Sequence, residues 1–401
     1  MTRLVYSLLT TALVQAANLG FGVAAARLLG PNDRGIFAYQ VTLSTVVATL
    51  FSFGIGEAIA YVASANRAGF RHSTYIVASV LYGAAGALAW LFVYPMIATI
   101  SNHDQYLAYA VFMAYPVLNY LTLCLVAWFA GRGLTRAWNI QRVLVQISQP
   151  LTLVCLLVIE GASISAFAFS VIFAHIIAVA VGVCQISVSS FLAKPRWLDM
   201  KEVFQVGMQS FGSRLSDLIR DNADRLIVGT LLAPEILAQY VVAVSVAQIF
   251  NAYSQTVIQL YFPRIGALVN SGHHALIERQ AAFLVLGGGI AAIAVSFLAS
   301  DWLVVAIFGG KFAMAGELAP VLVVGMVFAS MKALISAHAL AIRQPWITSK
   351  IDVYAVPVTI ATIFLAVHLV GAWGAACAFV FSQAGVAYVM FLAYRQFRTA
   401  R

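Results

Sequence analysis

Twelve apolar stretches, divided by short polar gaps, occupy most of this chain. Hydropathy places them near residues 4–26, 36–64, 73–100, 106–130, 143–159, 164–190, 203–231, 236–261, 281–308, 314–342, 351–369 and 374–394. Each approaches or exceeds the roughly 17–25 residues a helix needs to cross about 30 Å of hydrocarbon. The longest gaps, 263–280 and 299–313, are too short for a separate catalytic domain. The pattern therefore predicts an all-α integral membrane protein of about twelve transmembrane helices. Ala24-Ala25-Ala26 imitates a signal-peptidase site, but the apolar run before it is too long for a signal-peptide core. The first stretch is read as a retained helix.

Charge orients these helices. Sixteen of the 23 Lys and Arg residues fall in the even-numbered gaps and at the termini: Arg3, Arg67, Arg71, Arg132, Arg136, Arg142, Lys194, Arg196, Lys201, Arg264, Arg279, Arg343, Lys350, Arg395, Arg398 and Arg401. The odd-numbered gaps hold Arg27, Arg34 and Lys311. Basic loops stay on the cytoplasmic side, so both termini are expected there. Composition agrees: 62% of residues are apolar and 9% charged, against about 45–50% and about 25% in soluble domains. A net charge of +9 would point to nucleic acid in a soluble protein. Here it is spread over short loops and leaves no basic face, so no nucleic-acid partner is expected. Cys124, Cys155, Cys184 and Cys377 lie inside apolar stretches without metal-ligand spacing, which reads as small core residues. No cofactor is implied.

An internal repeat divides the chain. Leu28-Leu29-Gly30-Pro31, with Phe37 six residues on, aligns with Leu231-Leu232-Ala233-Pro234 and Tyr240. Each tract lies between the first and second helix of a six-helix set. More loosely, Asn102 to Tyr106 matches Gly309 to Phe312, and Gly161-Ala162 matches Gly371-Ala372. Six helices per half give both halves the same orientation. That predicts two six-helix bundles, 1–192 and 203–401, related by a pseudo-twofold axis along the membrane normal. Residues 193–202 would form a cytoplasmic linker.

Ionisable side chains at membrane depth are costly and by default line a polar pathway. The seventh stretch carries Arg214, Asp217, Arg220, Asp221, Asp224 and Arg225, which share an arc of about 140° at about 100° per residue. Glu57 in the second stretch and Lys332 in the tenth fall at similar expected depth. Two readings stand side by side. Opposite charges three or four residues apart can form a self-neutralising ladder. Alternatively the cluster faces a hydrated cavity and offers arginine forks to an anion such as phosphate. The repeat-equivalent positions in the first stretch, Thr11, Val14, Ala17, Asn18, Phe21 and Gly22, are uncharged. The remaining polar residues read more simply. His175 and His338 suit hydrogen-bonded core positions, and Asp352 and Glu202 suit helix ends at headgroup level. Tyr106, Tyr109, Tyr115, Trp302, Trp346 and Trp373 suit interfacial anchors, and Pro116, Pro150, Pro263 and Pro357 suit kinks.

The tract from Ala26 to Phe37, followed by Phe53-Gly54-Ile55-Gly56-Glu57-Ala58-Ile59-Ala60-Tyr61, resembles the opening of Wzx-type polysaccharide flippases. These belong to the multidrug/oligosaccharidyl-lipid/polysaccharide exporter superfamily. Asp224-Arg225-Leu226-Ile227-Val228-Gly229 with Tyr240, Phe308-Gly309-Gly310-Lys311-Phe312 and Gly371-Ala372-Trp373-Gly374-Ala375-Ala376 extend the resemblance over nearly the whole chain. The resemblance implies two helical bundles around a central cavity and alternating access. It also implies a polyprenyl-diphosphate-linked oligosaccharide as substrate, moved across a bacterial-type cytoplasmic (inner) membrane. On that reading Arg214, Arg225 and Lys332 contact diphosphate, Glu57, Asp217, Asp221 and Asp224 tune them, and Arg220 belongs to the same substrate-binding set. Membrane lipids are partners, and a polysaccharide polymerase and glycosyltransferases are candidate ones.

Two rivals remain at this point. An ion-coupled antiporter of the same superfamily would use Glu57 or Asp217 against a cationic substrate. A membrane enzyme acting on polyprenyl diphosphates would use Asp217, Asp221 and Asp224 to hold Mg²⁺. The interleaved arginines oppose both.

Overall fold

The computed structural model describes residues 2–64, 72–93, 103–186, 197–268, 274–341 and 346–399. Arg67, Arg71, Lys194, Arg196, Arg343 and Arg401, with Asn102 of the repeat and His273, lie outside the described residues.

The described chain is all-α. Thirteen α-helices follow in order: α1 Thr2–Leu50, α2 Ile55–Ser64, α3 His72–Leu91, α4 His103–Phe112, α5 Tyr115–Gly131, α6 Thr135–Glu160, α7 Ile164–Cys184, α8 Trp197–Leu231, α9 Pro234–Leu268, α10 His274–Phe308, α11 Ala313–Ala341, α12 Trp346–Val370 and α13 Ala372–Thr399. Among the described residues, ten helical segments are long and apolar enough to cross a membrane. Two features separate this figure from twelve expected stretches. The first and most of the second join into α1, which turns at Gly30 (φ 76°, ψ 175°) ahead of Pro31. The seventh, α8, carries too many charges to qualify as apolar.

Glycine and proline punctuate the helices where the repeat places them. Pro31 follows the left-handed Gly30, and Pro234 opens α9; a first-turn proline loses no helical hydrogen bond. Gly161 and Gly371, matched in the repeat, both have positive φ, 77° and 65°.

Two apolar stretches are broken where hydropathy runs on. Residues 113 and 114 interrupt the fourth, and Pro116 starts α5 rather than kinking a continuous helix. Residues 51–54 interrupt the second, with Phe53 and Gly54 at φ 44° and 69°.

Contacts divide the chain into two compact units, Met1–Leu218 and Ile219–Arg401, with the division inside α8. In the first unit α5 packs on α2, α3 and α7, and α6 on α1 and α7. Its core gathers Ile55, Ile59, Tyr75, Leu125, Trp128 and Phe129. Trp90 and Tyr109 stack with ring centres 5.0 Å apart. Trp90 Nε1 donates to Tyr109 O at 2.9 Å and Tyr109 Oη donates to Trp90 O at 2.5 Å. Tyr109 is thus a buried clasp and not an interfacial anchor. Cys124 is buried beside Ser79, whereas Cys155, Cys184 and Cys377 are exposed and are not core residues.

In the second unit α11 is the hub, packed against α9, α10 and α13. Ser254 and Ser330 bond across α9 and α11 at 2.7 Å, and Thr359 and Ser382 across α12 and α13 at 2.6 Å. Pairing hydroxyls in this way removes the cost of polar atoms among apolar helices.

Candidate functional site

The charged residues singled out in the sequence gather in two places, one in each unit.

In the first unit, Arg214 Nε lies 3.4 Å from Glu57 Oε1. The pairing follows from the break in the second apolar stretch. Phe53 is held in its left-handed conformation by rings on three sides: Tyr82 at 5.7 Å, Phe204 at 6.2 Å and Phe211 at 5.6 Å. Its carbonyl oxygen lies against Gly207, so close that a Cβ at Gly207 would clash with backbone. Glu57 is four residues beyond Phe53, in the first turn of α2, where unpaired backbone N–H groups favour a carboxylate. Arg214 is seven residues beyond Gly207 and shares its face of α8. One close approach therefore sets both partners. The two side chains retain 44% and 39% exposure, so the pair is reachable from outside the packed helices.

In the second unit, Arg220 of α8 and Lys332 of α11 converge on α12. Arg220 Nη1 and Lys332 Nζ each lie 3.4 Å from the same atom, Asp352 Oδ1. Lys332 is 5% exposed and Asp352 23%. Arg220 Nε is also 3.4 Å from Asp221, whose side chain is largely exposed. Asp352 was expected at a helix end without a role. The helix begins earlier, at Trp346, which carries Asp352 inward to the buried ammonium. A buried Lys needs a counter-charge, and that requirement was the available signal for an acidic partner outside α11.

The neighbouring charges are engaged differently. Asp224 is buried, accepting from Tyr240 Oη at 2.8 Å and from the Arg225 backbone N–H at 2.8 Å. It ties α8 to α9 through the tyrosine of the second repeat. The equivalent Phe37 packs instead on Phe21, Phe112 and Phe167. Arg225 keeps a buried Nε without an acceptor among the described residues. The side chain of Asp217 lies outside those described. Arg220 pairs with the adjacent Asp221, and Arg214 and Arg220 also meet carboxylates on α2 and α12. Among the described residues no three His, Cys, Asp or Glu side chains form a metal-holding group.

His175 and His338 occupy core positions as expected. His175 is buried against Thr122, Nδ1 to Oγ1 3.1 Å, and His338 Nε2 lies 2.5 Å from Glu278 Oε1.

The fold is similar to those of solved membrane transporters, among them members of the MOP superfamily. The lipid II flippase MurJ in an inward closed conformation superposes with a TM-score of 0.80 over 96% of this chain and 87% of that one, at 12% identity. An inward-facing MATE multidrug-resistance transporter of the superfamily superposes at 0.71 over 98% and 94%, at 15% identity. The chain belongs to the polysaccharide biosynthesis protein family, whose pattern matches residues 24–317. It is also 23% identical, over 88% of its length and 74% of the other's, to a Haloferax volcanii protein named as the probable low-salt glycan biosynthesis flippase Agl15.

Proposed function

We propose that the protein is a flippase for a polyprenyl-diphosphate-linked oligosaccharide. The lipid moves from the cytoplasmic to the outer leaflet of a bacterial-type inner membrane, and both termini are cytoplasmic. Two six-helix halves, 1–192 and 203–401, open alternately to the two sides. The headgroup enters a polar pathway while the polyprenyl tail stays in lipid. Such an anion and its sugars cannot cross bare hydrocarbon at a useful rate.

The observation that supports this reading most directly is the sharing of Asp352 by Arg220 and Lys332. One carboxylate oxygen serves two cations at 3.4 Å, beyond the usual 2.7–2.9 Å of charge-assisted pairs. Contacts this long hold weakly, so a diphosphate would draw both cations away from Asp352. Arg225 offers a further unpaired donor. In the first unit Arg214 would meet phosphate and release Glu57; Asp221, Asp224 and Asp217 would tune the cations. An antiporter for cationic compounds is less well served, because Glu57 and Asp352 already face arginine and lysine.

The test is reconstitution in liposomes with a fluorescent short-chain prenyl-diphosphate oligosaccharide, followed by quenching from outside. Protein-dependent loss of the protected fraction is the expected result. No exchange, together with unchanged surface glycan in a clean deletion, would overturn the proposal.

A further inference from the structure

The first unit contains a second polar place, separate from the Glu57–Arg214 pair. A half-enclosed cavity of about 440 Å³ is lined by Arg142, Gln146 and Gln149 of α6, Asn119 and Thr122 of α5, and His175 of α7. Its volume lies within the about 300–1,000 Å³ range of small-molecule sites. Positions 142, 146 and 149 follow a spacing of four and three, so α6 turns one continuous polar face toward it. The Arg142 guanidinium stacks over Trp138 with its carbon 4.7 Å from the ring centre. Among the described residues no carboxylate lines the cavity. Among the described residues Arg142 has no acidic partner, and the side chains of Asn119, Gln146 and Gln149 make no hydrogen bond.

The histidine is fixed by its neighbour. Thr122 Oγ1 donates its one proton to Leu118 O at 2.9 Å. It must then accept from His175 Nδ1, 3.1 Å away. In the neutral imidazole this tautomer presents Nε2 as an acceptor.

The inventory is one guanidinium fork, three amides that both donate and accept, a fourth amide, Gln141, already bonded to α7, the Tyr115 hydroxyl and one imidazole. A metal cation would be repelled by Arg142. Inorganic phosphate would set its oxygens against the amide carbonyls and the imidazole lone pair. An apolar guest would strand the amides. A ring bearing one carboxylate and several hydroxyls satisfies every group. We propose that this cavity binds a single uronic-acid residue. Its carboxylate lies on Arg142 and its hydroxyls on Asn119, Gln146, Gln149 and His175 Nε2. The residue is either a free sugar acid or one unit of a lipid-linked glycan. The assignment goes beyond the flippase reading and is decided by binding alone, so a failed transport assay leaves it standing.

The test uses the purified full chain in nanodiscs, titrated calorimetrically and by saturation-transfer NMR with glucuronate, glucose and inorganic phosphate. Glucuronate should bind about tenfold or more tighter than glucose, the contribution of one charge-assisted pair. Arg142→Gln should reduce glucuronate to the level of glucose. Gln149→Leu should weaken both sugars alike, and it keeps the test open should Arg142→Gln fold poorly. Equal binding of glucuronate and glucose, an unchanged glucuronate affinity in Arg142→Gln, or displacement of glucuronate by equimolar phosphate would each overturn the assignment. A short-chain prenyl diphosphate carrying glucuronate or glucose separates the sources. Arg142-dependent preference with the lipid-linked pair identifies a glycan unit, and the same preference confined to the free acids identifies a free uronate. Preference in neither rejects the site.

Discussion

Gly207 lies against the carbonyl oxygen of Phe53, with no room for a side chain between them. Seven residues later on the same face, Arg214 meets Glu57. A glycine thus determines whether an ion pair on two distant parts of the chain can form. Gly207→Val should push the two backbones apart at a cost of about 1–3 kcal/mol, as overpacking does. Thermal unfolding of the purified variant should show a lowered midpoint, and the Glu57–Arg214 coupling in a double-mutant cycle should vanish. An unchanged midpoint with intact coupling would show that the contact is not needed.

The Glu57–Arg214 pair itself should contribute little to stability. With both side chains more than a third exposed, its expected worth is about 0–1 kcal/mol. Arg214→Ala should therefore leave expression and melting nearly unchanged while reducing flipping, and Arg214→Glu should reduce it further. The paired change Arg214→Ala with Glu57→Ala separates the roles. Restored flipping would make the pair architectural; continued loss places Arg214 at the substrate.

Lys332 and Asp352 present the opposite balance. Asp352→Asn strands the buried ammonium, and breaking one side of a buried pair costs about 3–5 kcal/mol. The folded yield should fall, measured by size-exclusion profile in detergent. Lys332→Met combined with Asp352→Asn should recover the yield but not transport. Recovery of both would remove Lys332 from the substrate's path.

Asp104 provides a purely structural comparison. Its carboxylate accepts from the backbone N–H groups of Ile164 at 2.8 Å and Ser165 at 3.1 Å, and from the Ser165 hydroxyl. This caps α7 from α4. Asp104→Ala should cost about 0.5–2 kcal/mol, read as a lower melting midpoint, with transport retained at temperatures where the protein stays folded.

Much of the helical order was legible in the sequence because long apolar runs and their glycine and proline boundaries are local signals. The left-handed Gly161 and Gly371 fall where the repeat matched them. The breaks at 51–54 and 113–114 were not legible, since the residues on both sides are as apolar as those within a span. What stabilises Phe53 is a set of rings from α3 and α8, far away in sequence. The charges of α8 were visible, but their partners were not. Spacing along one helix suggests partners three or four residues away, whereas Arg214 and Arg220 reach Glu57 and Asp352, on α2 and α12. Asp352 was overlooked for a related reason. An apolar window began the eleventh stretch at residue 351, which put Asp352 at its end and left the helix's first turn outside.

The interruption at 51–54 also makes the first unit depend on a helix from the middle of the chain. Inside an apolar environment every backbone polar group needs an internal partner, and the Phe53 carbonyl is covered by a segment made more than 150 residues later, around Gly207. Without the opening turns of α8, the first unit would have an uncovered seam beside α2. The unit's last strut thus comes from the helix that begins the second half of the chain. A fragment ending at residue 192 would lack the segment that covers the Phe53 carbonyl.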